Sequence, residues 1–160
     1  MNIAIFTINT GLYQKGQESI SGIAIKAVVE KMGFTVKANG LLPAEQSVVE
    51  GVLTQLSSSG AVDIVVTLGS NGHRYSDIAP NAIEAVATQI LPGIGEAIRA
   101  LNLQHSRRAL LDRSTAGFRQ HTVMVNLPEN AKAAIEDLTL IMPELVHAVG
   151  TLMEEESSVS

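Results

Sequence analysis

The sequence contains no cysteine, and aromatic residues make up only 3% of its 160 residues. Without cysteine the chain can form neither a disulfide framework nor a thiolate metal site, which fits a protein of the reducing cytoplasm. With few aromatics, the core must be built from Ile, Val, Leu and Ala, since apolar residues amount to 46% of the chain. A core of that kind suits buried parallel strands that are covered by helices.

Long apolar runs, a secretory signal and an excess of basic charge are also missing. No stretch approaches the ~20 apolar residues of a membrane-spanning helix. The apolar start at residues 1–8 is too short for a signal peptide and lacks the basic residues that precede one. The formal net charge is -5, which does not favour nucleic acid as a partner. We therefore expect a soluble cytoplasmic protein with no nucleic-acid or membrane partner.

Short β-rich apolar runs alternate with segments of helical periodicity along the chain. Strands are expected at 3–8, within 34–42, and at 63–67, 109–111 and 122–127. This alternation predicts an α/β fold of three layers (α/β/α), in which helices cover both faces of a mostly parallel central sheet. Since no linker or repeat is visible, residues 1–160 are expected to form a single domain, with a solvated and flexible tail at 154–160.

The spacing of apolar residues also predicts the buried faces and the ends of the helices. The first helix is expected to bury one stripe of apolar residues: Ile20, Ile23, Ala24, Ala27 and Val28. A proline is favoured in the first turn of a helix. We therefore expect helices to begin near Pro43, Pro80 and Pro143.

Ligand sites in such sheets lie beyond the carboxyl ends of the strands, which marks the loops Asn9–Glu18, Leu68–Asp77 and Pro128–Asn130. The strongest local feature is Thr67–Gly72, which reads Thr-Leu-Gly-Ser-Asn-Gly directly after a strand. Glycines let a backbone approach a ligand, and free N–H groups can hold an anion. The segment is neither a Walker loop nor a dinucleotide fingerprint. Taken alone, it is equally consistent with an ordinary strand-to-helix turn.

Asp77 closes this loop, and the sequence leaves two roles open for it. It could satisfy free N–H groups in the first turn of the helix that Pro80 opens. It could instead be a metal ligand or an acid–base group at the mouth of the sheet. Arg74 could meet a phosphate, whereas His73 is better explained as a solvated loop residue. The remaining histidines show no metal-ligand spacing, and no nucleophile elbow is present.

Residues 65–82 resemble a motif of the molybdopterin-binding family of molybdenum cofactor biosynthesis, which reads "TTGGTG" and, shortly after, "RDVTPEA". Three further segments match in the same order: residues 91–99 resemble "PGFGEAFR", 109–119 "AxLSRxxAGxR" and 123–128 "LIVNLPG". The family contains molybdopterin adenylyltransferases, MoaB-type proteins and the gephyrin G domain. Because several collinear motifs cover almost the whole chain, the resemblance is far more specific than any one of them.

The resemblance implies the family's fold and its task, which is to bind molybdopterin and to transfer AMP from Mg-ATP onto the molybdopterin phosphate. It implies a homotrimer or a hexamer. It places Asp77 at the family's "RD" aspartate, as a catalytic residue and metal ligand. It also implies a set of molybdopterin-binding residues, in the central loop and at the edges of the site: Gly69, Ser70, Asn71, Gly72, Ser21, Arg113, Asn126 and Pro128.

Several positions depart from the family's pattern. Ala44 stands where a "PDE" segment has its second aspartate, and alanine can neither ligate a metal nor move a proton. Glu45, next to it, is then the candidate catalytic substitute. Asp112 and Glu129 replace a serine and a glycine. Their charge opposes the binding of a polyanion unless a cation lies between them, or it is screened because the side chains point to solvent.

These departures leave three functions open. The chain could bind molybdopterin and adenylylate it with Mg-ATP. It could be a catalytically degenerate oligomeric binding or scaffold module that recognises another small anionic ligand or a protein partner. It could also be a divergent enzyme acting on another phosphorylated substrate. Tight binding of molybdopterin separates the first function from the second.

Overall fold

The computed structural model describes residues 1–159, and six strands form its single sheet in the spatial order β2-β1-β3-β6-β5-β4. The strands are Asn2–Ile8 (β1), Thr35–Leu42 (β2), Ile64–Leu68 (β3), Gln89–Ile90 (β4), Ala116–Arg119 (β5) and Thr122–Leu127 (β6). Neighbouring strands from β2 to β6 pair in parallel, whereas β5 is antiparallel to both β6 and β4. The sheet is therefore mostly parallel, as predicted.

Helices cover both faces of this sheet. They are Thr10–Lys15 (α1), Ile20–Lys31 (α2), Gln46–Ser59 (α3), Ala79–Val86 (α4), Pro92–Leu103 (α5) and Ala131–Val159 (α6). One apolar cluster contains residues of α2, α5 and α6, and a second contains residues of α3 and α4. Alternate residues of one strand feed the two clusters: Ile64 and Val66 of β3 belong to the first and Val65 to the second. The predicted α/β/α layering is confirmed.

The strand expected at 109–111 is wrong. Arg107–Leu111 form a 3₁₀ helix in which Ala109 is buried and Leu110 is 70% exposed. The strand that pairs with β6 is instead Ala116–Arg119, and β4 was not expected at all. A run of three apolar residues is too short for its periodicity to separate a strand from a helical turn.

The predicted inner face of α2 is also wrong. Ile20 and Ile23 are exposed, and the residues that face the sheet include Ser21, Gly22 and Ile25. A Cβ atom on Gly22 would lie 3.1 Å from Asn39 Oδ1 and 3.1 Å from Ser19 Oγ. Small residues therefore let the start of α2 approach β2 closely, and this approach decides which side of the helix is buried.

Two prolines do not begin helices as expected. Pro43 precedes α3, which begins at Gln46, and Pro143 lies inside α6 rather than at the start of a separate helix. Proline removes one helical hydrogen bond, but Leu138 and Leu145 are fully buried on either side of it and keep α6 on the sheet.

The loop predicted at residues 9–18 contains the short helix α1. The tail from Glu154 to Val159 is the exposed last part of α6, and Ser160 lies outside the described residues. No helix within residues 1–159 is long and apolar enough to cross a membrane.

Candidate functional site

The loops that follow the parallel strands meet at one edge of the sheet, because the carboxyl ends of parallel strands lie together. Gly69 N donates to Leu127 O at 2.8 Å, which joins the loops after β3 and β6. Asn9 N donates to Leu42 O at 2.9 Å, which joins the ends of β1 and β2. Asn9 Nδ2 also lies 3.1 and 3.2 Å from the two carboxylate oxygens of Glu129. The three loops predicted to meet therefore do so.

The loop of residues 69–77, hereafter the glycine loop, begins with two residues of positive φ: 87° at Gly69 and 54° at Ser70. A Cβ atom on Gly69 would lie 2.9 Å from Glu129 Oε1 and 3.2 Å from Ile8 O, so only glycine fits there. Ser70 has the same left-handed backbone conformation although it is not a glycine. Its hydroxyl accepts from Ile78 N at 2.8 Å and donates to Ser76 O at 3.2 Å.

Arg113 clamps the glycine loop from outside. Its Nε donates to Gly72 O at 2.8 Å, its guanidinium donates to Asp77 O at 2.6 Å, and its backbone N donates to Asn71 O at 2.7 Å. The side chain also donates to Asn81 Oδ1. A guanidinium has five N–H donors, and several of these are already used within the protein. Arg113 therefore shapes the loop rather than offering a free cation.

Asn126 holds the same loop from the sheet. This fully buried residue donates through Nδ2 to Thr67 Oγ1 and to Gly69 O, both at 3.0 Å. Its Oδ1 atom is buried and has no hydrogen-bond partner within residues 1–159. Asn126 is thus a structural support beneath the glycine loop, with one acceptor left over.

Asp77 does not cap α4, so the first of its two predicted roles is wrong. Its Oδ2 atom accepts from Arg74 N at 3.0 Å, and the N–H of Ile78 is taken by Ser70 instead. A Cβ atom on Gly72 would lie 2.7 Å from Asp77 Oδ2, which explains the glycine at that position. The other carboxylate oxygen, Oδ1, has no hydrogen-bond partner in the described part of the chain, and the half-buried side chain lines a cavity.

Two adjoining cavities open beside the glycine loop. The first, of 340 Å³, is called the loop cavity and is lined by Asn71, Gly72, His73, Arg74, Asp77, Arg108, Leu111 and Asp112. The second, of 510 Å³, is called the helix cavity and lies between the ends of α5 and α6. Its lining includes Asn71, Asn102, His105, Arg108, Asp112, Pro128, Lys132 and Glu136. Because Asn71, Arg108 and Asp112 line both, the two cavities adjoin and share these three residues.

Residues 4–147 match the family profile described as a probable molybdopterin binding domain. The chain belongs to the molybdopterin-binding family. It is 30% identical to the molybdopterin adenylyltransferase of Helicobacter pylori (strain ATCC 700392 / 26695) over 141 residues, which cover 85% of this chain and 78% of that protein. It is 34% identical to the molybdopterin adenylyltransferase of Escherichia coli (strain K12) over 131 residues, which cover 81% of this chain and 66% of that protein.

Solved structures with the same fold also come from proteins of molybdopterin biosynthesis. The molybdopterin biosynthesis enzyme MoaB from Thermus thermophilus superposes with a TM-score of 0.85 at 28% identity, covering 94% of this chain and 95% of that one. A molybdopterin biosynthesis protein from Mycobacterium abscessus superposes with a TM-score of 0.88 at 26% identity, covering 97% and 98%. The glycine loop lies within the region matched to the molybdopterin-binding family.

The two carboxylates that depart from the family's pattern are both engaged. Asp112 Oδ1 accepts from Asn71 Nδ2 and, at 2.8 Å, from Ser114 Oγ. Its Oδ2 atom is buried and has no hydrogen-bond partner within residues 1–159. The alternative in which Asp112 points to solvent is therefore wrong. Glu129 faces Asn9 and Gly69, so its charge lies beside the glycine loop.

Ala44, which departs from the family's pattern, and the predicted site residues Glu45 and Ser21 lie apart from the cavities. Glu45 is exposed just before α3, and its side chain makes no capping hydrogen bond. Ala44 N donates to Thr10 Oγ1 at 2.9 Å, and the Ala44 side chain packs against the apolar cluster under α3 and α4. Ser21 is buried, and its hydroxyl lies 3.1 Å from Ser19 Oγ. Neither Glu45 nor Ser21 lines either cavity.

The structure brings the other predicted site residues together around the glycine loop: Gly69, Ser70, Asn71, Gly72, Asp77, Arg113, Asn126 and Pro128. It does not assemble a complete metal site, since no group of three or more His, Cys, Asp or Glu side chains within residues 1–159 could hold an ion. Mg²⁺ that arrives with a nucleotide needs only one or two protein carboxylates. Asp77, which lines the loop cavity and has one unpaired carboxylate oxygen, can supply one of these carboxylates, whereas both oxygens of Asp112 are turned into the protein.

Sequence reasoning missed a pair of residues beside the helix cavity. Asn102 Nδ2 donates to Asp137 Oδ2 at 3.0 Å, and Asp137 is fully buried. Burial raises the pKa of Asp137 to about 6, against the lowering effect of the Asn102 hydrogen bond; Asp112 and Glu136 raise that pKa further and His105 lowers it. The one feature of the sequence that could have indicated this pair is an acidic residue, Asp137, next to Leu138 on the apolar face of α6.

Proposed function

We propose that this protein binds molybdopterin at the carboxyl edge of its sheet and serves molybdenum cofactor biosynthesis. The observation that supports this most directly is the glycine loop, which Arg113 and Asn126 hold in place beside two adjoining cavities. The helix cavity of 510 Å³ has the size of a small-molecule site. Membership of the molybdopterin-binding family supports the same ligand.

The charges along the two cavities suit a phosphorylated ligand. Molybdopterin carries a pterin ring, a dithiolene and a terminal phosphate. Arg74 lines the loop cavity, Arg108 lines both cavities and Lys132 lines the helix cavity. Hydrogen bonds between such cations and phosphate oxygens are among the stronger ones in proteins. We therefore assign the phosphate to the neighbourhood of Arg108.

A binding experiment tests this assignment with a matched pair of variants. Purified protein is equilibrated with molybdopterin, and the captured pterin is quantified by fluorescence after oxidation. Arg108→Ala is expected to weaken binding about tenfold or more, because a charge-assisted hydrogen bond is lost. Arg107→Ala is the control, since Arg107 is an exposed neighbour that lines neither cavity. Folded wild-type protein that captures no molybdopterin would refute the proposed function.

The Helicobacter pylori and Escherichia coli relatives are molybdopterin adenylyltransferases. We propose that this chain carries out the same reaction, adenylyl transfer, but slowly. The step joins two polyanions, so Mg²⁺ and protein carboxylates must offset their charge. Asp77 has a free carboxylate oxygen at the loop cavity, but Ala44 supplies none and Glu45 does not line the cavity. A site with fewer carboxylates holds the metal less well and stabilises the transition state less.

A single-turnover reaction with molybdopterin and Mg-ATP measures this directly. We expect adenylylated product above the no-enzyme control, formed more slowly than by an active family enzyme in the same assay. Ala44→Asp restores the family's second carboxylate and should raise the rate; no gain over the wild type would show that residue 44 lies too far from the two cavities to act. Ala44→Asn has a similar size without the charge and is the control. No product from either the wild type or Ala44→Asp would leave a molybdopterin-binding protein without transferase activity.

We further propose that the protein assembles as a homotrimer or as a hexamer made of two trimers. The exposed apolar side chains of Ile20, Ile23 and Tyr13 supply contact area at the start of α2 and on α1. Light scattering on the purified protein measures the mass of the assembly. Ile20→Glu would dissociate it if this face is the interface, and a monomeric wild type would contradict the proposal.

A further inference from the structure

We propose that the Asn102–Asp137 pair makes the helix cavity selective for the amino edge of a pterin ring. In this arrangement Asn102 contacts the ligand, and Asp137 is a positioning residue that holds the Asn102 amide in one orientation. The inference rests on the proposed function, because it names the part of molybdopterin that this cavity recognises.

The orientation of the Asn102 amide follows from its partner. Asn102 Nδ2 donates to Asp137 Oδ2 at 3.0 Å. An ionised carboxylate only accepts hydrogen bonds, so the NH₂ group must face Asp137 and the amide oxygen must point away from it. That oxygen, Asn102 Oδ1, has no hydrogen-bond partner within residues 1–159 and is not among the buried unpaired atoms. Since Asn102 lines the helix cavity, its acceptor is available to a ligand there.

Asp137 is an unusual residue to find in this place. Its side chain is fully buried on the inner face of α6, beside Leu138, and its Oδ1 atom has no hydrogen-bond partner in the described chain. A buried carboxylate with an unpaired oxygen is costly, and an apolar residue would serve the packing of α6 better. Its one hydrogen bond within residues 1–159 is the bond that orients Asn102. This isolation favours a role at the cavity over a role in the fold.

The proton on Asp137 would reverse the polarity of the pair. A protonated carboxyl can donate to Asn102 Oδ1, which lets the amide turn its NH₂ group into the cavity. Burial raises the pKa of Asp137 to about 6, so this change falls between pH 5 and 7. Other charged groups near the pair also belong to any pH profile of the cavity: Asp112, Glu136, His105, Arg108 and Lys132.

A pterin fits an acceptor in this position because its edge carries a 2-amino group and a ring N–H. The corresponding lumazine has a carbonyl oxygen in place of the 2-amino group. Opposite Asn102 Oδ1, the lumazine would bring two acceptors together and leave both without a proton. Leaving an acceptor unsatisfied in a site costs about 1–3 kcal/mol, so a preference of about tenfold for the pterin is expected.

The test uses 6-hydroxymethylpterin and 6-hydroxymethyllumazine as fluorescent probes, titrated into the full-length protein at pH 8. Wild-type protein is expected to bind the pterin about tenfold more tightly. Asn102→Ala should lose this preference, whereas Gln104→Ala, an exposed neighbour that lines neither cavity, should keep it. Equal affinity of the wild type for the two probes, or a preference that survives Asn102→Ala in a folded protein, would overturn the inference.

The role of Asp137 is tested separately through the pH profile of pterin affinity. In the wild type the affinity should fall as pH drops from 8 through 6. Asp137→Asn cannot titrate, so its profile should be flatter, while the titration of the free ligand is the same for both proteins. Identical profiles would refute the positioning role. If wild-type protein binds molybdopterin but does not discriminate between the probes, only this inference fails; if it binds neither molybdopterin nor the pterin, the proposed function fails as well.

Discussion

Replacing Asp137 by asparagine should stabilise the protein at neutral pH. The substitution keeps the size of the side chain and removes a charge from a fully buried position. The pKa of Asp137 is raised from 3.8 to about 6 in the folded protein. One pKa unit corresponds to about 1.36 kcal/mol. The folded state therefore loses about 3 kcal/mol of stability when Asp137 ionises, which is a large part of the 5–15 kcal/mol that is typical of a whole domain.

The direction of the effect with pH follows from proton binding. Well below pH 3.8 Asp137 is protonated in both states and contributes nothing to the pH dependence. As pH rises from 3.8 to about 6, the unfolded chain releases its proton while the folded protein keeps it, so the free energy of unfolding falls. Above about pH 6 the penalty is complete and stays constant. Asparagine does not titrate and escapes it.

Urea unfolding of the wild type and Asp137→Asn at a series of pH values between 4 and 8 measures this penalty. The variant's advantage in the free energy of unfolding should grow by about 2 to 2.5 kcal/mol between pH 4 and pH 7, because part of the 3 kcal/mol is already present at pH 4. Glu144→Gln, an exposed substitution on the same helix, is the control and should show little growth. A difference between wild type and Asp137→Asn that does not change with pH would refute the reasoning.

Three further predictions concern the glycine loop and the sheet. Ser70→Ala should lower the free energy of unfolding by about 1 kcal/mol, because the hydrogen bond from Ile78 N is lost. Ser70→Gly should lower it by less, since glycine removes about 1 kcal/mol of backbone strain at φ 54°. Urea unfolding that gives the opposite order of stability would count against this account. Gly117→Ala should destabilise by about 1–3 kcal/mol, because its Cβ would lie 2.7 Å from Ala87 Cβ, and an unchanged melting temperature would contradict this. Arg113→Lys loses the planar fork, so amide exchange in residues 69–77 should accelerate, and unchanged protection would show that the clamp is dispensable.

Much of the fold could be predicted because it depends on local pattern. Buried strands such as Ile64–Leu68 are continuous apolar runs, and the helices between them show helical periodicity. These patterns were enough to predict α/β/α layers. The rule that ligands bind beyond the carboxyl ends of parallel strands then placed the glycine loop and Asp77 at one edge, and the family motifs identified the same loop.

Local pattern could not decide which side of α2 is buried or how the chain runs past Pro143. The start of α2 has apolar residues on more than one side, and the close approach allowed by Gly22 turned Ile20 and Ile23 outward. At Pro143 the buried contacts of Leu138 and Leu145 outweigh one missing hydrogen bond. In each case tertiary packing outweighed the structural preference of the local sequence.

Periodicity and collinear motifs are written in neighbouring residues, and they were therefore sufficient to predict the family, the layered sheet and the edge that holds the candidate site. The finer chemistry of that site depends on tertiary packing. That packing turned Asp112 inward onto Asn71, used Arg113 as a clamp, and left Glu45 away from the cavities. It also paired Asn102 with Asp137. Such contacts join residues far apart in the chain, and their geometry depends on how helices pack on the sheet, which no local pattern encodes.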